Sequence, residues 1–383
     1  MRRASVVLVL VLVLGMLPLP VWAAEPQVGG KSALLMDVST GTVLFESNAL
    51  EPLPPASVTK VMTMLLIMEA LDSGAIGWED AVTTSVAAAA KGGSQVYLKV
   101  GETMTVRDML KSIAVSSAND CACAMAEHIA GSEAAFVERM NSRAAELGMQ
   151  DTTFVNCTGL DDAQEAKAHR TSAHDIAVMS RELLKNHPDI RQFTTIWMDS
   201  VRNGAFGLSN TNKLIRFYDG ATGLKTGFTS GAGYCLSASA LRDGLELIAV
   251  VMGAESSQVR FQSCKAMLDH GFANYAIVQP DLTEVSQVPV TLGKAAFVQP
   301  EMGGDSATLI DKQLRSTITT EAVLEPSLTA PVSQGQRLGT LRIKAGEQVL
   351  KEVPLVAREP VARLTYGDLF LRAFRQAAMA RSG

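Results

Sequence analysis

The stretch PPASVTKVMTMLLIMEAL, Pro54 to Leu71, places a serine and a lysine at the start of an otherwise almost entirely apolar segment. On a helix, Ser57 and Lys60 lie one turn apart on the same face, so the amine can reach the serine hydroxyl. A serine needs a base to act as a nucleophile, and lysine is a base only when it is neutral. Lowering a lysine pKa from ~10.4 to between 7 and 8 costs about 3 to 4 kcal/mol, which burial and a nearby like charge can supply. The stretch therefore predicts a helix from Ser57 to Leu71 with a buried, neutral lysine beside a nucleophile.

Two further segments support this interpretation, because a single S-x-x-K pattern is common by chance and an exposed surface pair is its alternative. Ser116 to Asp120 lies at a break between two helical patterns and contains Ser117-x-Asn119. DGATGLKTGFTSGAGYC, Asp219 to Cys235, contains the sequence Lys-Thr-Gly just before a predicted strand. Enzymes that attack amide bonds with a serine and a lysine combine three such motifs in this order.

The set SVTK, SAN and KTG resembles the motifs of the penicillin-recognising serine acyl-transferases. Within them it is most similar to the low-molecular-mass penicillin-binding proteins of the D-alanyl-D-alanine carboxypeptidase family. The segments NTNKL and HRTSAHDIAVMSREL are also similar to that family, and the resemblance extends from about Ser32 to Tyr275. It implies an α+β, β-lactamase/transpeptidase-like catalytic domain, with a five-stranded antiparallel sheet flanked by helices and an inserted helical lobe.

The resemblance also implies the reaction. A serine-type D-Ala-D-Ala carboxypeptidase removes the terminal D-alanine from peptidoglycan stem pentapeptides through an acyl-enzyme, and thereby regulates cross-linking. β-lactam antibiotics are expected to act as covalent inhibitors. No metal and no organic cofactor is expected. Whether water or an amine is the preferred acceptor stays open, as does the diamino acid of the stem peptide.

The first two motifs supply the reacting groups, as far as the resemblance implies their roles. Ser57 is expected to be the nucleophile that becomes the acyl-ester, and Lys60 its general base. Ser117 is expected to relay a proton to the leaving D-alanine nitrogen. Asn119 is expected to hydrogen-bond the substrate amide and to steady Lys60.

The third motif is expected to bind the substrate. Lys225 would add a positive charge that keeps the catalytic lysine neutral and attracts the terminal carboxylate, which the Thr226 hydroxyl binds. Gly227 leaves room for the strand to pair with an extended peptide, and the Phe228 N–H completes an oxyanion hole with the amide of the nucleophile. Arg260 is a possible second carboxylate clamp. Its alternative is a surface arginine on a helix.

Two other functions are weighed against this one. A class A β-lactamase shares the three motifs but needs a glutamate that activates the deacylating water. Glu146 and Glu165 are the nearest glutamates, and neither lies in an E-x-x-L-N context. A non-catalytic penicillin sensor or cell-wall scaffold is disfavoured because all motif residues are intact.

The chain divides into four predicted parts. Residues 1–24 have a basic start, an apolar core and a small-residue exit, which predict a secretory signal peptide. Residues 25–276 are the predicted penicillin-binding serine carboxypeptidase domain. Residues 277–360 hold short Val/Ile/Thr-rich runs separated by Gly and Pro, which predict a small all-β domain. Residues 361–383 predict an amphipathic helix with four arginines and one aspartate.

The tail helix suits the surface of an anionic membrane, since aromatic residues lie on its apolar face. Docking on the protein's own core or on a partner is the alternative. Together with the signal peptide, it predicts an exported protein that is peripheral to the outer face of the bacterial cytoplasmic membrane.

Alternation and helical spacing predict the elements of the catalytic domain. Ser32–Ser47 predicts a hairpin, and Gly233–Ala254 predicts a second hairpin around an Asp-Gly turn. Strands at both sequence ends with helices between them predict that the first and last strands share one sheet. Further helices are predicted at 106–113, 119–129, 133–147 with Ser132 as N-cap, and 171–184.

Composition excludes several other functions. The formal net charge of −5 provides no basic surface for nucleic acid. The five cysteines are odd in number and are interpreted as small buried hydrophobes. The five histidines are scattered, so a metal site is not predicted.

Overall fold

The computed structural model describes residues 25–161 and 164–371. The α-helices are, in chain order, α1 (Lys60–Asp72), α2 (Val86–Ala89), α3 (Val106–Ser116), α4 (Asn119–Ala130), α5 (Glu133–Glu146), α6 (Ala173–Asn186), α7 (Arg191–Thr194), α8 (Leu214–Phe217) and α9 (Ser257–Asn274). Short 3₁₀ helices occur at Ala56–Thr59, Gln164–Ala168, Pro188–Ile190 and Lys312–Thr317. The predicted signal peptide lies outside the described residues.

The strands are, in chain order, β1 (Ser32–Asp37), β2 (Val43–Ser47), β3 (Ala81–Thr83), β4 (Thr103–Thr105), β5 (Met198–Val201), β6 (Phe206–Ser209), β7 (Ala221–Thr229), β8 (Gly233–Arg242), β9 (Leu245–Ala254), β10 (Tyr275–Val278), β11 (Val288–Thr291), β12 (Phe297–Val298), β13 (Pro300–Met302), β14 (Thr308–Asp311), β15 (Ile318–Leu324), β16 (Leu328–Thr329), β17 (Arg337–Ala345) and β18 (Gln348–Ala357).

The main sheet has five antiparallel strands in the order β2-β1-β9-β8-β7. Both predicted hairpins are present, and β1 pairs with β9, which confirms that the first and last strands of the domain share a sheet. Asp243 and Gly244 have φ angles of 50° and 80°, as a tight hairpin turn requires. The strand β7, which carries the Lys-Thr-Gly motif, is therefore an edge strand of the sheet.

Helices cover both faces of this sheet. The helix α9 packs on one face against β8 and β9 and closes a smaller core that includes Leu35, Leu247 and Leu268. The helices α1 and α6 pack against the other face and contribute to a larger core, which the helical lobe shares. Because every residue from Lys60 to Met68 is buried, α1 is a central helix rather than an amphipathic surface helix.

Hydroxyl caps explain where several helices begin. The side chains of Thr105, Ser132, Ser172 and Ser256 each accept a hydrogen bond from the N–H three residues later. Such caps satisfy backbone donors that the first helical turn leaves unpaired. The predicted N-cap at Ser132 is confirmed, and the predicted helices match the observed ones to within three residues at each end.

The helix predicted from Ser57 to Leu71 is divided into two parts. Its first turn is the 3₁₀ helix Ala56–Thr59, and the α-helix starts only at Lys60. The N–H of Val58 bonds to the carbonyl of Pro55, the i→i+3 pattern that winds a turn more tightly than an α-helix. The serine therefore lies just before the α-helix and the lysine at its first position.

An all-β part follows α9, beginning with β10, and confirms the predicted fold class. Its largest sheet has the order β13-β18-β17-β15, and smaller sheets pair β10 with β14 and β11 with β12 and β16. Two small apolar cores, around Leu338 and around Leu341 and Leu355, hold the sheets together. Each of the short runs that predicted this region contains an observed strand.

The chain continues beyond the last strand as a docked segment. Val361 pairs with Val332, and the N–H of Leu364 donates to the carbonyl of Leu292. A helical turn follows at 366–371, capped by reciprocal hydrogen bonds between Thr365 and Asp368. The rest of the predicted tail helix lies outside the described residues. No helix in the described ranges is long and apolar enough to cross a membrane.

Candidate active site

Lys60 and Ser57 form the centre of the site. The lysine Nζ lies 2.9 Å from the serine Oγ and 2.9 Å from the carbonyl oxygen of Thr158. The lysine has no exposed surface. Burial lowers the Lys60 pKa to about 7, although Cys157 and Asp120 act in the opposite direction. The predicted buried lysine is confirmed, and the alternative of an exposed surface pair is wrong.

Two glycines hold the turn that carries Ser57. A Cβ on Gly159 would lie 1.8 Å from the Ala56 carbonyl oxygen, and a Cβ on Gly227 would lie 3.1 Å from the Ser57 nitrogen. Ala56 itself has a φ of 48°, in the left-handed region that non-glycine residues seldom adopt. The serine turn is therefore enclosed by two backbone segments that can approach it only because they lack side chains.

Ser117 and Asn119 connect α3 to α4, at the break that the sequence predicts. Ser117 has a φ of 63° and ends α3, and both side chains are buried. The Asn119 amide donates to the carbonyl of Gly92, and its Oδ1 is buried without a partner among the described residues. Lys60 donates hydrogen bonds to Ser57 and Thr158, and the expectation that Asn119 steadies this lysine stays a prediction.

Asp120 attaches a loop to the same helix start. Its carboxylate accepts hydrogen bonds from the N–H groups of Val96 and Leu98, and it is fully buried. Its negative charge also acts to raise the pKa of Lys60, against the larger effect of burial. The N–H of Asn119 bonds to the carbonyl of Ser94. Residues 92–98 therefore form one wall of the site.

Lys225 lies on β7 with 1% of its surface exposed. Its amine donates to the Thr226 carbonyl, and the Thr226 hydroxyl donates to the Thr211 hydroxyl at 2.7 Å. Burial lowers the Lys225 pKa well below its ordinary value, and repulsion from Lys60 and Arg260 lowers it further. Burial is the main cause of the lowered pKa of Lys60. That Lys225 adds a positive charge that helps to keep Lys60 neutral stays a prediction.

Gly227 and Phe228 follow on the same strand. The open side of Gly227 faces Pro55 and the serine turn, so the glycine is required for this packing and not simply to leave room for a peptide. Phe228 is 54% exposed and packs on Tyr234 with ring centroids 4.3 Å apart. Within the described residues no further strand pairs beyond β7, so β7 is an edge strand of the main sheet.

Arg260 is buried on α9, and its alternative as a surface arginine is wrong. Its Nη1 donates to the carbonyls of Gly227 and Cys235, which ties α9 to β7 and β8. Its guanidinium also lies 5.4 Å from the ring centroid of Tyr234. Arg260 therefore braces the strand that carries the third motif. A direct contact with a substrate carboxylate stays a prediction.

The sequence profile described as D-alanyl-D-alanine carboxypeptidase matches residues 20–256. The chain belongs to this family. A second profile, the C-terminal domain of penicillin-binding protein 5, matches residues 277–363. These two matches cover the sheet that carries the site and the all-β part that follows it.

Curated members of the D-alanyl-D-alanine carboxypeptidase family align over most of the chain. DacF of Bacillus subtilis is 44% identical over 340 residues, which are 87% of this chain and 86% of DacF. DacC of Escherichia coli is 34% identical over 350 residues, 88% of this chain and 85% of DacC.

Solved structures of related proteins share the fold. Penicillin-binding protein 5 of Haemophilus influenzae superposes with a TM-score of 0.73 at 29% identity, over 89% of this chain and all of that chain. Penicillin-binding protein D2 of Listeria monocytogenes, in a cefotaxime-bound form, superposes with a TM-score of 0.60 at 32% identity. That match covers 65% of this chain and 99% of the other.

Among the described side chains of this carboxypeptidase, no glutamate of the kind that a class A β-lactamase needs is hydrogen-bonded to Ser57 or Lys60. Glu146 pairs with Arg143 on α5, and its side chain is 65% exposed. The side chain of Glu165 lies outside the described residues. The groups in hydrogen-bond contact with Lys60 are a hydroxyl and a backbone carbonyl.

Other reactive side chains have ordinary structural roles. All five cysteines are buried and free, which confirms their interpretation as small core residues. One group with metal-ligand spacing occurs among the described residues, formed by Glu69, Glu182 and His187. Arg143 binds both of its carboxylates, so a guanidinium already neutralises them.

The sequence interpretation missed Thr158, Gly159 and Asp120. Gly159 begins a Gly-Leu-Asp-Asp segment, and no local pattern in that segment points to the serine turn. Asp120 follows the Ser-Ala-Asn motif directly. An acidic residue in the first turn of a helix is usually explained by its favourable interaction with the helix dipole, so it does not indicate a role in the site. Nothing in the local pattern shows that the Thr158 carbonyl meets the lysine, because 98 residues separate them.

Proposed function

We propose that Ser57 is the nucleophile with which this D-alanyl-D-alanine carboxypeptidase removes the terminal D-alanine of peptidoglycan stem pentapeptides. The observation that carries the proposal is the 2.9 Å contact between Ser57 and a buried amine whose pKa is about 7. A base with a pKa near the working pH is both deprotonated often and strong enough to accept a hydroxyl proton.

The reaction has two covalent steps. In acylation the Ser57 proton passes to Lys60, and the serine oxygen attacks the carbonyl carbon of the penultimate D-alanine. The peptide C–N bond then breaks, and the proton that Lys60 took from Ser57 passes by way of Ser117 to the leaving nitrogen, which leaves Lys60 neutral again. In deacylation water attacks the ester and gives a proton to Lys60, which returns it to the departing serine oxygen, so that the Ser57 hydroxyl and the neutral lysine are restored.

The backbone of the serine turn and of β7 stabilises the negative charge on the attacked carbonyl oxygen. The N–H groups of Ser57 and Phe228 form this oxyanion hole. Removing one such donor typically slows turnover about 10²- to 10³-fold. The contact between Gly227 and the serine turn supports the proposal, since it brings the two N–H groups to neighbouring backbone segments.

Lys225 and Thr226 bind the terminal carboxylate. Burial and neighbouring cations disfavour the charged form of Lys225 in the free protein. A bound carboxylate reverses this balance, because an opposite charge within about 4–6 Å favours the protonated amine. Substrate binding and protonation of Lys225 are therefore coupled. The unpaired, buried Oδ1 of Asn119 accepts a hydrogen bond from the substrate amide.

The same site binds β-lactam antibiotics as covalent inhibitors. Their strained amide acylates Ser57, and the resulting ester deacylates slowly because no glutamate contacts the catalytic pair among the described side chains. The cefotaxime-bound form of the Listeria protein supports this reading by family membership. Rapid hydrolysis of penicillin, the β-lactamase alternative, is not expected.

The protein works at the outer face of the cytoplasmic membrane, to which the signal peptide directs it and on which the tail rests. The exposed side chains of Tyr366, Phe370 and Leu371 support this part of the proposal, since they are 93%, 72% and 55% exposed. In the described first turn of the tail, the apolar residues are therefore not docked on the protein's own core. Peptidoglycan is assembled on the same side of the membrane.

Mass spectrometry of a muropeptide pentapeptide tests the reaction. Incubation with the protein should remove one alanine, and Ser57→Ala should remove none. Labelling by a fluorescent penicillin should depend on Ser57 as well. Labelling without loss of alanine would identify a sensor, and cross-linked products would identify an amine as the acceptor.

A further inference from the structure

His169 is buried beneath the turn that carries Ser57, although none of the three motifs includes it. Its Nε2 lies 2.8 Å from the Thr59 hydroxyl oxygen, and its Nδ1 accepts a hydrogen bond from the N–H of Val155 at 3.2 Å. The ring is 3% exposed and meets Phe154 edge to face, with centroids 5.6 Å apart. The imidazole is thus held in one orientation from three sides.

These contacts determine the direction of the hydrogen bonds. Because Nδ1 accepts from Val155, the neutral imidazole carries its hydrogen on Nε2 and donates to Thr59. The Thr59 hydroxyl in turn donates to the carbonyl of Ala56 at 2.8 Å. Burial lowers the His169 pKa to about 4, so the imidazole keeps one donor and one acceptor throughout the neutral range. A directional chain of hydrogen bonds therefore ends on the Ala56 carbonyl.

That carbonyl belongs to the same peptide unit as the Ser57 N–H. The peptide is trans, so its C=O and N–H point in opposite directions. The Cβ positions built on Gly159 and Gly227 show the two sides: the first meets the Ala56 oxygen and the second lies near the Ser57 nitrogen. Fixing the carbonyl on one side therefore aims the N–H toward β7 on the other.

We infer that His169, acting through Thr59, is a positioning residue that aims the Ser57 N–H at the oxyanion of the transition state. The left-handed φ of Ala56 agrees with this, because non-glycine residues keep such a conformation only where their surroundings enforce it. The inference rests on the proposed function, since it assigns a purpose to the oxyanion hole of that reaction.

Two substitutions interrupt the chain at different links. Thr59→Val keeps the shape of the side chain and removes the hydroxyl, whereas His169→Phe keeps a ring and removes the donor. Thr59→Ser and His169→Gln are the matched rescues, because each restores a donor at the same place. His174→Gln is the control, since His174 lies on α6, has a side chain that is 35% exposed and pairs with Asp175 instead.

The readouts are the rate of acylation by benzylpenicillin, the KM for a D-Ala-D-Ala peptide, and the inhibition constant of a peptidyl boronic acid. The boronic acid forms a tetrahedral adduct on serine and so mimics the transition state. Thr59→Val and His169→Phe should each slow acylation about 10- to 100-fold and weaken the boronic acid by a similar factor. KM should change less than threefold, and each rescue should recover most of the loss.

The double variant gives a further test, because two residues in one chain should not lose activity additively. Thr59→Val combined with His169→Phe should be no slower than the worse single variant by more than about threefold. Should His169→Phe fail to fold, as circular dichroism would show, the Thr59→Val and Thr59→Ser pair decides the matter alone. Equal acylation rates for these two variants would overturn the inference, as would additive losses or a KM that rises as much as the inhibition constant. If the wild-type protein is neither labelled at Ser57 nor active on the peptide, the proposed function fails instead.

Discussion

The Lys60 amine is fully buried and donates to both the Ser57 hydroxyl and the Thr158 carbonyl, 2.9 Å from each. A lysine in such a place is destabilising when charged, because it has lost its hydration and has no carboxylate in contact. This relationship joins the stability of the fold to the chemistry of the site, and the first two predictions follow from it.

Replacing Lys60 with methionine should abolish acylation and stabilise the fold. Loss of a general base typically slows a reaction about 10²- to 10⁴-fold. The pKa shift from 10.5 to about 7 corresponds to a burial cost of roughly 5 kcal/mol at about 1.4 kcal/mol per unit. Removing the lysine removes this cost, but it leaves the Thr158 carbonyl without a hydrogen bond, which offsets about 1–3 kcal/mol of the stabilisation. Thermal unfolding at pH 6 should therefore show a higher Tm for Lys60→Met, and a lower Tm would contradict the lowered pKa of Lys60.

Acylation should depend on pH with an acid limb near the Lys60 pKa. Only the neutral amine accepts the Ser57 proton, so the rate constant for benzylpenicillin should fall about tenfold per pH unit below about pH 6. The free energy of unfolding should also depend on the protonation of Lys60. Its pKa is about 7 in the folded protein and 10.5 in the unfolded chain. Between these two values the unfolded chain binds more protons than the folded protein, so the free energy of unfolding rises with pH. Lys60→Met should lose this slope, and an unchanged slope would assign it to other groups.

Gly227→Ala should impair acylation more than it impairs folding. A Cβ at this position would lie 2.7 Å from the Pro55 carbonyl oxygen and 3.1 Å from the Ser57 nitrogen, so β7 must move away from the serine turn. Displacing a donor of the oxyanion hole should cost about 10²-fold or more in the acylation rate. Gly207→Ala, on β6 with no atom within 4 Å of a new Cβ, is the matched control. Equal acylation rates for the two variants would argue against a Gly227 contact that matters to the site.

Asp120→Asn should loosen the wall formed by residues 92–98. The buried carboxylate accepts hydrogen bonds from the N–H groups of Val96 and Leu98. An asparagine side chain has only one oxygen that can accept them, because its nitrogen is a donor. Hydrogen bonds to charged groups contribute about 1.5–3 kcal/mol each, so Tm should fall and hydrogen exchange of the Val96 and Leu98 amides should quicken. Glu79→Gln, in an exposed pair with Arg107, should change neither. Unchanged exchange in Asp120→Asn would show that the loop is held by other contacts.

Truncation should separate membrane binding from catalysis if the cut respects the docked segment. Deletion after residue 360 follows the sequence boundary, but it removes Val361 and Leu364, which pair with Val332 and Leu292. A chain ending at Thr365 should keep its Tm and its carboxypeptidase activity while it no longer sediments with anionic vesicles. Continued sedimentation of this shorter chain would place the membrane contact elsewhere.

Much of the fold is predictable because periodic patterns and caps are local. Ser132 precedes its helix as a hydroxyl cap, and the Asp243-Gly244 turn joins two strands, so neither requires knowledge of the rest of the chain. The start of the first helix is not predictable in this way. The turn before Lys60 is 3₁₀ and Ala56 is left-handed because the segments around Gly159 and Gly227 press on it from either side.

The sequence by itself determined the three motifs, their order, the apolar surroundings of the lysine, and the alternation of strands and helices that yields the catalytic sheet. Only the tertiary structure decided which group holds the lysine, how the serine turn is braced, and that Arg260 supports β7 from within. The physical reason is that motif spacing, apolar character and the periodicity of helices and strands depend only on residues that are close together in the chain. A hydrogen bond between Lys60 and Thr158, or between Thr59 and His169, exists only after segments about a hundred residues apart have packed together.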